Sequence, residues 1–239
     1  MDYLKYLLIP LLLSAFLTPF LKVVATRLEI YALENERTVH SGKIARIGGV
    51  AIYVSFVVCM AVFMKTDMTI NGILIGGSIM FIGGLIDDMV NLSPKLKLLF
   101  EIAAAIVLMM VGKVSLDVIR LPLGITIDMG IISFLVTFVW IIGITNAVNL
   151  IDGLDGLVSG VSIISLVTMG IVSYFFLPVP NLFLTMTIFV LVASIAGFFP
   201  FNYHPAILYL GDTGALFIGF MISVLSLQGL KNATAVSVV

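Results

Sequence analysis

Five of the thirteen acidic residues, Asp87, Asp88, Asp152, Asp155 and Asp212, sit where long apolar stretches end or begin. A carboxylate near hydrocarbon costs roughly 2.5–3.5 kcal/mol, and residues that carry this cost usually mark function. Five of them on one face would repel one another unless a cation or a basic side chain shared the site. Asp87-Asp88 is followed by Asn91, Lys95 and Lys97. The pair could hold a metal or a phosphate-bearing nucleophile, with Lys97 facing an anion. A solvated turn with lysine–aspartate pairing would explain the same residues.

A second group, Asn146, Asn149, Asp152 and Asp155, recurs every third residue. On a helical turn this spacing brings amides and carboxylates together, and Gly153 and Gly156 let the backbone approach a ligand. Oxygen donors without clustered His or Cys favour Mg²⁺ over zinc or copper. The third group is Asn202-Tyr203-His204-Pro205 followed by Tyr209-Leu210-Gly211-Asp212-Thr213-Gly214, an ordered loop entering a helix. Asp212 falls near that helix's N-terminus, where negative charge is favoured, so N-capping alone would account for it. His204 taken singly reads as a hydrogen-bonded loop residue. Arg37, His40, Lys43 and Arg46 precede Gly48-Gly49 and could meet phosphate groups. An ordinary positively charged membrane loop explains the charge but not His40 and the glycines together.

These residues need a membrane scaffold to position them. The chain is 61% hydrophobic and 10% charged with a mean hydropathy of +1.25, more apolar surface than 239 soluble residues can bury. A net charge of −1 with no polybasic tail points away from nucleic acid. The single cysteine, Cys59, excludes an internal disulfide and reads as a packing or lipid-facing residue. Asp2 and the lack of a small-residue cleavage site favour a retained first helix over a signal peptide.

Apolar spans fall at about 3–24, 47–64, 70–86, 97–112, 130–148, 157–177, 182–199 and 211–229, and a ninth run starts at 232. The expectation is one all-α, polytopic integral-membrane domain over 1–239, with about eight to nine transmembrane helices. The ninth run ends after about two turns, so the polypeptide reads as truncated at its C-terminus. Lys22, Arg27, Arg37, Lys43, Arg46, Lys95 and Lys97 lie in the loops after odd spans, against Lys5, Lys65, Lys113, Arg120 and Lys231 opposite. That bias places the N-terminus outside and the acidic residues at the cytoplasmic face. Residues 114–128 alternate β-branched and polar positions around Leu121-Pro122-Leu123-Gly124, the pattern of a small external β-hairpin.

Taken together, Asp-Asp with a downstream Lys, Asn-x-x-Asn-x-x-Asp-Gly-x-Asp-Gly, and Asn-x-His-Pro before Gly-Asp-Thr-Gly resemble the polyprenyl-phosphate N-acetylhexosamine-1-phosphate transferases. The match runs along essentially the whole chain. The Arg-x-x-His-x-x-x-x-x-Arg-x-Gly-Gly loop looks more like the branch using UDP-N-acetylglucosamine than the branch using UDP-MurNAc-pentapeptide. The resemblance implies a multi-pass enzyme of the inner (plasma) membrane, with a cytoplasm-facing cleft and a groove for lipid. It implies Mg²⁺ as cofactor, with Mn²⁺ as a substitute, and leaves a homodimer open. Undecaprenyl phosphate would attack the β-phosphorus of UDP-GlcNAc and release UMP, the first membrane step of a cell-envelope glycan such as teichoic acid or lipopolysaccharide.

Residue by residue, the resemblance puts Asp212 and Asn149 on the metal, Lys97 on the diphosphate, and Asp87 and Asp88 near the lipid phosphate. It assigns Asp155 to a uridine-binding turn and Tyr209 to stacking on uracil. Asn146, Asp152, Asn202, His204, Arg37, His40 and Arg46 complete the expected substrate-binding set. Relatives carry a later loop rich in His and Arg that this chain lacks, so the 239 residues alone are expected to be inactive or severely impaired. Alternatives are a phospho-MurNAc-pentapeptide transferase, a cation-coupled transporter, and a non-catalytic scaffold. A transporter should place acids near the bilayer midplane within pseudo-symmetric halves, and no repeat is evident.

Overall fold

The computed structural model describes residues 4–28, 30–31, 44–65, 67–120, 126–176 and 181–235. Among them are eight helices: α1 (Lys5–Arg27), α2 (Gly49–Phe63), α3 (Met68–Val90), α4 (Pro94–Val111), α5 (Ile132–Leu150), α6 (Leu157–Ile171), α7 (Leu182–Asn202) and α8 (Gly211–Ala235). A π turn, Val172–Phe176, continues α6. Six of these helices are long and apolar enough to cross a membrane, with α6 taken together with its π turn. α2 is apolar but has only 15 residues. α4 carries Lys95, Lys97 and Glu101 within its length. The protein is a helical, multi-pass membrane protein.

Most residues of α8 are buried, with α3 and α5 packed along it and α2, α6 and α7 also in contact. α1 packs on α7 and α2. Small residues let these backbones approach, as expected where lipid supplies no hydrophobic drive between helices. A Cβ on Gly49 would come within 2.2 Å of the Gly214 nitrogen, so α2 and α8 touch backbone to backbone at their starts. A Cβ on Gly84 would lie 2.5 Å from the Asp212 carbonyl oxygen, which presses α3 against the same turn of α8.

Two strands, β1 (Val118–Arg120) and β2 (Thr126–Asp128), pair antiparallel with Val118 opposite Asp128. They lie between α4 and α5, within the segment whose alternation suggested strands. Two expected boundaries move. α3 continues past 86 through Asp87-Asp88 to Val90, where Asn91 adopts a left-handed conformation and closes the helix. The run from 232 is not the start of a ninth helix as far as Ala235, because α8 passes through it unbroken. No proline or glycine interrupts Leu230–Ala235.

Candidate functional site

Chain direction alone brings the acidic groups to one end of the bundle. α3 ends there and α4 begins; α5 ends and α6 begins; α7 ends and α8 begins. Asp212, in the first turn of α8, is the hub. Its carboxylate meets Arg46 Nη2 at 2.6 Å and Lys97 Nζ at 3.2 Å, and accepts from Asn149 Nδ2 at 2.8 Å. Residues 46, 97, 149 and 212, from four separate segments, therefore meet at one side chain. N-capping does not explain Asp212, since its oxygens turn to these partners.

The cap of α8 is instead Asp88. Its Oδ1 accepts from the Asp212 backbone N–H at 2.8 Å, and its Oδ2 accepts from the Thr213 N–H at 2.9 Å and from the Thr213 hydroxyl at 2.5 Å. Arg46 Nε lies 3.2 Å from Oδ1. Carboxylates are favoured at a helix N-terminus, and this one is supplied by another helix. The Asp88 side chain is 0% exposed and committed on both oxygens. It holds α8 and Arg46 in place, and a direct place for it at the lipid phosphate does not follow from this geometry. Gly211 makes the approach feasible: it has φ +75°, and a Cβ there would fall 2.5 Å from Asp88 Oδ2.

Asp87 sits one residue earlier and faces elsewhere. It pairs with Lys97 Nζ at 2.6 Å, and its Oδ1 accepts from the Leu92 N–H at 2.6 Å across the turn into α4. Lys97 thus joins Asp87 to Asp212. Arg46 reaches the cluster because its strand-like segment is pinned by backbone bonds from Tyr209 N to the Ala45 carbonyl and from Gly48 N to the Tyr209 carbonyl, each 2.9 Å. Burial opposes the charge of Arg46, yet Asp88, Asp212, Asp87 and Asp152 together hold its pKa above the usual value.

Asp152, in the turn after α5, is within electrostatic reach of Asp212, Arg46 and Asp88. Burial, reinforced by the like charges, pushes its carboxyl up to about 7, against the pull of Arg46. Asp155 turns away from this hub: its Oδ2 lies 3.0 Å from His204 Nδ1 and accepts from the Ala206 N–H at 3.0 Å. The Tyr209 phenol lies close enough for Asp155 to reinforce the rise that burial imposes on its pKa. Asp155, His204 and Tyr209 thus form a second, adjoining group. Asn202 does not line a cleft: it is buried, accepting from Ser159 Oγ at 2.8 Å and donating to the Leu208 carbonyl at 3.3 Å. It braces the loop that carries His204. Arg37 and His40 lie outside the described residues.

Sequence reasoning missed Glu101. It is buried in α4, one turn beyond Lys97, and its Oε2 accepts from Asn146 Nδ2. The available signal was a lone acid inside an apolar span, which membrane helices rarely tolerate without purpose.

The donor set fits a hard divalent cation. Asp87 and Asp212 supply carboxylate oxygens close to each other, and Asn149 keeps its carbonyl oxygen outside the bond it makes with Asp212. Four carboxylates, those of Asp87, Asp88, Asp152 and Asp212, face two cationic side chains, Arg46 and Lys97. No cage of three or more His, Cys, Asp or Glu ligands exists among the described residues. Mg²⁺ is commonly bound by one or two carboxylates, with substrate phosphates and water completing its shell.

The model of the family described as "Glycosyl transferase family 4" matches residues 70–230. The Bacillus subtilis protein named probable undecaprenyl-phosphate N-acetylglucosaminyl 1-phosphate transferase is 37% identical over 235 residues, covering 97% of this chain and 64% of its own length. A Mycobacterium leprae decaprenyl-phosphate N-acetylglucosaminephosphotransferase is 33% identical over 235 residues, covering 90% of this chain and 58% of its own. A Streptococcus thermophilus phospho-N-acetylmuramoyl-pentapeptide-transferase is 32% identical over 191 residues, covering 74% and 55%. The chain spans less than two thirds of the length of each of these relatives.

Proposed function

Because the chain belongs to glycosyl transferase family 4, we propose that the protein it represents transfers N-acetylglucosamine 1-phosphate from UDP-GlcNAc to undecaprenyl phosphate and releases UMP. The observation that carries this reading is the Asp212 hub, where two cations, an amide and neighbouring carboxylates meet at the ends of apolar helices. Such a site reaches both a phosphate arriving from the bilayer and a nucleotide arriving from water. All eight helices cross the inner (plasma) membrane in this reading. The hub then faces the cytoplasm, as the excess of Lys and Arg in the odd loops supports, and the paired strands lie outside.

In the transfer, an oxygen of the lipid phosphate forms a bond to the β-phosphorus of UDP-GlcNAc. The bond from that phosphorus to the bridging oxygen breaks, and UMP leaves with that oxygen. Catalysis of this kind is mostly positioning and charge stabilisation. Lys97 and Arg46 bring positive charge to a place where two anions must meet. Asp87 orients Lys97, and Asp88 fixes the start of α8 from which Asp212 projects. Asp155, His204 and Tyr209 form the neighbouring surface that receives the nucleoside. Mg²⁺, or Mn²⁺ in its place, is the cofactor we assign to Asp212 and Asn149, with Asp87 beside them; when bound it neutralises phosphate charge.

The likeness to the Streptococcus protein favours one second reading, transfer of phospho-MurNAc-pentapeptide. UMP release by the full-length protein, offered undecaprenyl phosphate and each UDP-sugar in turn, separates the two. Release with UDP-GlcNAc is expected. Release with UDP-MurNAc-pentapeptide alone would replace the first reading by the second, and release with neither would reject both.

A further inference from the structure

Asn146, one helical turn before Asn149, is exposed, whereas its partner Glu101 is 2% exposed. A carboxamide has two N–H donors and one carbonyl acceptor. The Asn146 amide nitrogen donates both to Glu101 Oε2 and to the Ile142 carbonyl, the latter at 2.9 Å. With the nitrogen held on the protein side, the carbonyl oxygen is the end left to face outward. Asn146 stands one helical turn before Asn149, the residue that grips Asp212, and Glu101 stands one turn after Lys97. Two adjacent rungs therefore tie α4 and α5 to the hub.

We propose that Glu101 is a positioning residue that fixes the Asn146 carboxamide so that its oxygen accepts a hydrogen bond from an N–H or O–H group of the sugar nucleotide. This deepens the reading of the hub as a sugar-nucleotide site and rests on it. Without Glu101 the amide can turn over and present N–H groups, which repel the donor groups of the ligand. The role asks only for an acceptor oxygen at position 101, so glutamine serves and leucine, of similar size, does not.

The test is a double-mutant cycle on the full-length enzyme, with Glu101→Gln, Glu101→Leu, Asn146→Ala and the Leu/Ala double variant. UMP release gives KM for UDP-GlcNAc and for undecaprenyl phosphate separately. Loss of one hydrogen bond predicts a rise in KM for UDP-GlcNAc of about threefold to tenfold in Glu101→Leu and Asn146→Ala, with KM for the lipid unchanged. The double variant is expected to be no worse than Asn146→Ala alone, since one residue acts through the other. Glu101→Gln is expected to restore wild-type KM. Additive losses, or an unchanged KM in Glu101→Leu, would overturn the proposal. A wild-type enzyme inactive with UDP-GlcNAc would instead reject the functional reading. Structures of Glu101→Leu and Glu101→Gln then decide the positioning claim without activity: the Asn146 carboxamide turns over in the first and stays in the second, and an unmoved carboxamide in the first sinks it.

Discussion

Adjacent residues Asp87 and Asp88 are chemically identical and do different work because the helix turns between them. Asp88 points into the bundle and spends both oxygens on the first N–H groups of α8, the Thr213 hydroxyl and Arg46. Asp87 takes Lys97 and the Leu92 N–H. Asp152 has no such hydrogen-bond partners among the described residues, and burial followed by the Asp212 charge holds its carboxyl near 7. Between the ordinary carboxyl pKa and about 7, the folded protein binds more protons at Asp152 than the unfolded chain does. Stability therefore falls as pH rises through that window and levels off above it. A cation at the hub favours the ionised form, so Mg²⁺ affinity is expected to climb with pH up to about 7 and then flatten. Titrating Mg²⁺ into the transfer assay across pH reads this, and Asp152→Asn should reduce the slope. A wild-type affinity indifferent to pH between about 6 and 8 would contradict the assignment.

At the scale of elements, the site depends on how closely α3 can lie against the start of α8. Gly84→Ala would drive a methyl into the Asp212 carbonyl and the Thr213 Cα, both backbone atoms that cannot swing aside. Overpacking of this kind costs typically about 1–3 kcal/mol, and here it also displaces the hub. A lowered melting temperature in detergent and a loss of transfer larger than that loss of stability are expected. Gly229→Ala, at an α8 position where a Cβ meets nothing within 4 Å among the described residues, should lower neither. The spans were legible from hydropathy because a bilayer demands long apolar helices. Their ends were less so: the apolar run stops at about 86, yet α3 carries Asp87 and Asp88 on to Val90, with both carboxylates held by partners from other elements. An apolar run after a charged residue looks the same whether a helix ends or continues there, and α8 runs on through 232 to Ala235.

For the molecule as a whole, direction of travel explains why distant motifs meet. Alternating helices bring the ends of α3, α5 and α7 and the starts of α4, α6 and α8 to one level, so residues 46, 87, 97, 149 and 212 share a cluster. Spacing in the sequence grouped Asn146, Asn149, Asp152 and Asp155, and the structure joins Asn149 to Asp212 directly. It could not announce Glu101, which accepts a hydrogen bond from Asn146, or separate Asn202 as a buried brace from the residues it supports. Hydrogen-bond partners decide such roles, and they come from elements far apart in the chain. The central claim is that the Asp212 hub is where phosphoryl transfer occurs. Its most direct test is transfer of radiolabelled N-acetylglucosamine 1-phosphate to undecaprenyl phosphate by the full-length protein and its Asp212→Asn variant at saturating Mg²⁺. Removing this preorganised charge is expected to lower kcat by roughly 10²–10³-fold while the protein stays folded; transfer at the wild-type rate would contradict the account.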